Sequence, residues 1–91
     1  MIKFNLLVNP FTHKILVSAR VNKTACEEVI HWDGDLDWWS AFRMEDKVFD
    51  IHILYEDELE ISIYELSNEC DTSDYQNSHP VSIKLISKDQ F

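Results

Sequence analysis

Five segments of this chain alternate apolar and polar residues with a period of two, the signature of a strand buried on one face. Ile2, Phe4, Leu6 and Val8 share a face in the first, opposite Lys3 and Asn5. Ile15, Val17, Ala19 and Val21 share a face in the second. Between them, Asn9-Pro10-Phe11-Thr12-His13 is rich in turn formers, so the first two strands are expected to form a hairpin. Phe49, Ile51, Ile53 and Tyr55 make a third strand, and Leu59, Ile61 and Ile63 a fourth. The short acidic link Glu56-Asp57-Glu58 between these two reads as a second tight hairpin. Pro80 introduces a fifth strand through Val81, Ile83 and Leu85.

The stretch from Asn22 to Lys47 departs from that period. Thr24-Ala25-Cys26-Glu27 fits a helix capping box, and Ala25, Val29 and Trp32 fall at helical spacing. Asp33-Gly34 breaks the pattern, and Asp35 is placed to cap a further helical stretch through Leu36, Trp39 and Arg43. The expected fold class is therefore α+β, in the order β-β-α(α)-β-β-β, with one strand plus one helix in place of two helices left open for the middle stretch, residues 28–32 being readable as either. An antiparallel sheet of about five strands would carry one or two short helices on one face, with Val29, Trp32, Leu36 and Trp39 covering it. On the sheet's second face, Leu7, Leu16, Val48, Leu54, Tyr64, Leu66 and Ile86 would lie beside Lys3, Arg20, Asp50 and His52. That is apolar for a wetted face, and it makes a homodimer through the second sheet face an alternative.

A length of 91 residues suits a single domain, 1–91. Three Trp, three Tyr and five Phe give it enough apolar area for a core without staples. One Gly and two Pro exclude a Gly-rich phosphate loop. Cys26 and Cys70 are too few for a disulfide framework and read as reduced thiols. Asn5 and Asn9 interrupt the N-terminal apolar run, which does not resemble a signal peptide, and a cytoplasmic protein is expected.

Charge is unevenly distributed. Residues 1–26 carry Lys3, Lys14, Arg20 and Lys23 and no acid, or +4. Residues 27–74 carry sixteen acids against Arg43 and Lys47, or −14, and the remainder is +1, which gives the net −9. A field of that sign repels nucleic acid and anionic membranes and attracts basic proteins. A solubilising role is the plain alternative.

Trp32-Asp33-Gly34-Asp35-Leu36-Asp37-Trp38-Trp39 is the most distinctive segment. Asp33, Asp35 and Asp37 match positions 1, 3 and 5 of a Ca²⁺ loop, but Trp38 stands where its Gly belongs and Met44 where its Glu belongs. Capping carboxylates with core tryptophans form one account of the segment. A charged ring around an exposed Trp, Trp38 foremost, is the functional one. Cys26-x4-His31 and Cys70-x8-His79 lack the spacing of structural zinc sites. Neither a metal nor any other cofactor is expected. Glu56, Asp57, Glu58 and Glu60 form a wet hairpin tip, unsuited to acid–base catalysis. From Ser67 to His79 a polar stretch reads as an exposed loop carrying Glu69, Asp71 and Asp74.

These residues lead to a non-enzymatic binding protein that inhibits a basic partner. An immunity protein or antitoxin, plugging the cationic site of a nuclease-type toxin, is the first expectation. Its nominated contacts are Asp33, Asp35, Asp37 and Trp38, the tip Glu56, Asp57 and Glu58, and the loop acids Glu69, Asp71 and Asp74. The alternatives are a phage-type DNA mimic and a structural subunit that self-associates. Direct contact with nucleic acid or membrane is not expected.

Overall fold

The computed structural model describes residues 2–66 and 78–86, and every regular element within them is a strand. The elements are β1 (Phe4–Asn9), β2 (Lys14–Val21), β3 (Thr24–His31), β4 (Asp37–Met44), β5 (Lys47–Tyr55), β6 (Leu59–Leu66) and β7 (Val81–Leu85). They form a four-stranded sheet in the order β3-β2-β1-β7 and a three-stranded sheet in the order β4-β5-β6. The pairing of β1 with β7 is parallel, and the other pairings are antiparallel.

This overturns the α+β expectation. The stretch assigned to helices is β3 and β4, and a second sheet takes the place of the helical cover. The physical reason lies in the turns and the side chains. Asn22 and Lys23 both have positive φ, 51° and 66°, as a two-residue hairpin turn requires, so the chain reverses where a helix would begin. Val29, Ile30, Trp38, Trp39 and Phe42 are β-branched or aromatic, and they gain more from a pleated, half-buried surface than the capping-box pattern gains for a helix. A second two-residue turn, Glu45-Asp46, joins β4 to β5 with Glu45 at φ 56°. Asn22 Nδ2 donates to Asp46 Oδ1 across these two turns at 2.8 Å.

Both expected hairpins form. Asn9 pairs with Lys14 around the first turn, and Tyr55 pairs with Leu59 around Glu56–Glu58. Asn9 is fully buried, and its Oδ1 accepts from the backbone N–H groups of Phe11 at 2.9 Å and Thr12 at 3.1 Å. A buried amide tolerated at a strand end is thereby satisfied.

The core lies between the sheets. Phe4, Leu6 and Val8 of β1 and Ile15, Val17 and Val21 of β2 face Phe42, Met44, Phe49, Ile51, Ile53 and Ile63 across the interface. Phe4 meets Phe49 edge-on at 5.1 Å and Phe42 at 6.0 Å, the geometry aromatic pairs favour. Residues 78–80 link the two layers: His79 N–H donates to Ile63 O, and Phe4 N–H donates to Pro80 O, both at 2.9 Å. Because there are two layers, the single second face expected from sequence divides into two outer faces. Lys3, Leu7, Leu16 and Arg20 belong to one, and Val48, Asp50, His52, Leu54, Tyr64 and Leu66 to the other.

Candidate functional site

Three connections gather at one end of the sandwich: the β1–β2 turn, the link Trp32–Leu36, and the β5–β6 turn. Trp32 ties them together. Its backbone N–H donates to His13 O at 2.8 Å, and its indole Nε1 donates to Asp35 O at 3.0 Å. The indole stacks on Tyr55 with centroids 6.0 Å apart, and the His13 ring lies 5.4 Å away on a tilted plane. Tyr55 N–H then donates to Leu36 O at 2.7 Å, joining the link to the β5–β6 hairpin.

The Asp33–Asp35 turn is fixed on this aromatic floor. Asp33 Oδ1 accepts from Asp35 N–H at 2.9 Å. Gly34 has φ 88°, a conformation that favours glycine, and a Cβ there would stand 3.0 Å from the His13 ring, which would have to give way. The sole glycine of the chain is thus used to press an acidic turn against Trp32 and His13.

Two of the three nominated acidic groups come together here. Asp37 and Glu60 flank Leu54 in one cross-strand row, and Leu54, Glu56, Asp57, Glu58 and Glu60 line a shallow pocket at the hairpin tip. Asp33 and Asp35 lie just beyond, in the link held to Tyr55. The third group, Glu69, Asp71 and Asp74, falls outside the described residues. Like charges gathered in this way generate a field that a cationic partner relieves.

Trp38 and Trp39 exchange their expected places. Strand alternation turns Trp38, Ser40, Phe42 and Met44 toward the other sheet, and Trp38 packs against the core. Asp37, Trp39, Ala41 and Arg43 face outward, leaving Trp39 47% exposed. Asp37 Oδ1 lies 2.7 Å from His52 Nε2, and the His52 ring stacks flat on Trp39, with centroids 4.1 Å apart and planes 10° off parallel. Trp39 also stacks with Tyr64, with centroids 6.1 Å apart.

The acidic end therefore runs without a break into an aromatic row on the outer face of the three-stranded sheet. Helical periodicity concealed Trp39 as a member of this surface, whereas His52 and Tyr64 were expected on an outer sheet face without it. The signal was the alternation Asp37-Trp39-Ala41-Arg43, paired with Val48-Asp50-His52-Leu54.

Among the described residues, no group of three or more His, Cys, Asp or Glu side chains is arranged to hold a metal ion. The carboxylates of the distinctive segment are engaged separately, Asp33 with Asp35 N–H and Asp37 with His52. Cys26 and His31 sit at alternate-facing positions of β3 and do not converge. No helix in the described residues is long and apolar enough to cross a membrane. Comparison with known protein families, with characterised proteins and with solved structures finds no match to this chain.

Proposed function

We propose that the chain is a binding protein that recognises a basic protein partner through the acidic end and the adjoining Trp39 row. Inhibition of a nuclease-type toxin, in the manner of an immunity protein or antitoxin, is the role this chemistry suits best. The observation that carries the proposal is Trp39. A half-exposed indole, braced by His52 and Tyr64 on rigid strands and bordered by Asp37, combines a large contact area with little entropy to lose. Guanidinium and ammonium groups of a partner gain both from the carboxylates and from the face of the indole.

A surface built to plug a cationic active site gains twice from negative charge. Long-range attraction speeds encounter, and the carboxylates occupy positions that phosphate oxygens would otherwise take. A DNA mimic would use the carboxylates alone. The two are separated by measuring the affinity of the partner for Trp39→Ala and Glu56→Gln proteins. Trp39→Ala is expected to weaken binding about thirtyfold, the scale of an interface anchor, and Glu56→Gln only a few-fold. Equal, small losses at both positions would favour the mimic and sink the Trp-anchored account.

A further inference from the structure

The cationic N-terminal quarter of the sequence is left unused by the acidic end, and the fold gives it a surface of its own. Lys3, Lys14 and Arg20 occupy outward positions on or beside β1 and β2, and Lys84 does so on β7. All four lie on the outer face of the four-stranded sheet, where Glu27 is the one acid at a strand position among the described residues. Through the middle of this face runs a cross-strand row, Leu7–Leu16–Val29, with Lys84 at its end. Val29 is 47% exposed.

The molecule is thus bipolar. A basic face with an apolar seam lies on one side, and an acidic end with exposed Phe11 (65%) and Leu36 (62%) lies at the strand termini. Each surface carries what the other lacks in charge, and each offers apolar area to bury against it.

We infer that the outer face of the four-stranded sheet docks the acidic end of a second copy of this chain. The two surfaces are different patches, so the contact is heterologous and builds head-to-tail chains or rings in place of a two-fold dimer. Net charge −9 opposes the approach of copies at very low salt. At about 0.1 M salt the screening length of roughly 10 Å mutes whole-molecule repulsion while adjacent opposite charges still attract. At about 1 M the contact pairs are screened as well. Association should therefore peak at moderate ionic strength. The acidic end is shared with the proposed partner site, but self-docking requires no foreign partner.

Sedimentation velocity of the wild-type chain and two charge-altered proteins tests this. One, Lys14→Glu with Arg20→Glu, makes the face acidic; the other, Asp33→Asn, Asp35→Asn, Glu56→Gln, Asp57→Asn and Glu58→Gln, strips most of the charge from the end. Wild type should form concentration-dependent oligomers near 0.1 M salt that dissolve near 1 M. Each altered protein alone should remain monomeric. Mixed, they should form a dimer and stop there, because the face-reversed chain keeps its acidic end, the end-neutralised chain keeps its basic face, and the two altered surfaces do not attract each other. A wild-type chain that stays monomeric at about 0.1 M salt overturns the inference and leaves the basic-partner proposal standing. Oligomers that persist in the face-reversed protein, or binding of poly-glutamate without self-association, also overturn it.

Discussion

His79 sits where the two sheets and the N-terminal segment meet. Its Nδ1 accepts the Ile2 N–H at 3.2 Å, its Nε2 lies 3.6 Å from Glu65 Oε1, and the rings of Phe4 and Phe49 present their edges to it. Burial pushes its pKa below 6.5; Glu65 opposes the shift, while the amino terminus and Lys47 reinforce it. The folded state therefore prefers the neutral ring, which also keeps Nδ1 able to accept. Above pH 6.5 the ring is neutral in both states, and this contribution to stability is fully present. As pH falls below 6.5 the unfolded chain takes up the proton first, and stability declines until the folded-state pKa is passed. The urea midpoint should fall between about pH 7.5 and pH 5, and His79→Gln should flatten that slope. An unchanged slope in the variant would assign the effect to other groups. At this scale the sequence disclosed identities better than environments. Trp32 was legible as core. Trp38 and Trp39 were not, because neighbours on a strand face opposite ways and a helical period places them otherwise.

Among the elements, β1, β2, β5, β6 and β7 were legible because apolar residues recur at every second position, and the turn chemistry agreed with them. β3 defeated the same logic. It is an edge strand whose core-side positions include Cys26, Glu28 and Thr24, so only Ile30 is buried and the alternation is faint. Thr24 and Glu27 then mimic a capping box. The better clue was Asn22, a residue that tolerates the left-handed region, in a turn flanked by two β-branched residues, Val21 and Thr24, of a hairpin eight residues long on each side. Lys23 shares that conformation without the tolerance. Lys23→Gly should stabilise the protein by roughly 0.5–1 kcal/mol, read as a higher urea midpoint with no change in the transition's slope. A loss of stability would contradict the hairpin turn assigned there.

Across the whole molecule, folding converts a charge gradient along the sequence into a charge gradient in space. The cationic first quarter forms most of one outer face, and the acidic middle forms the far end and its aromatic flank. The net charge was legible from composition. The meeting of Asp33, Asp35 and Asp37 with Glu56, Asp57 and Glu58 was not, since it depends on β4 and β5 being neighbours in a sheet. A surface with this sign and with Trp39 at its border is the basis for proposing a basic protein partner. The most direct test is a paired capture from lysate of the source cell, using wild type and an Asp33→Asn, Asp35→Asn, Asp37→Asn, Trp39→Ala protein as baits. Wild type should retain one basic protein in near-stoichiometric amount at about 0.05 M salt and release it near 0.5 M, while the substituted bait retains none. Identical captures on the two baits would contradict the assignment of the partner site to this surface.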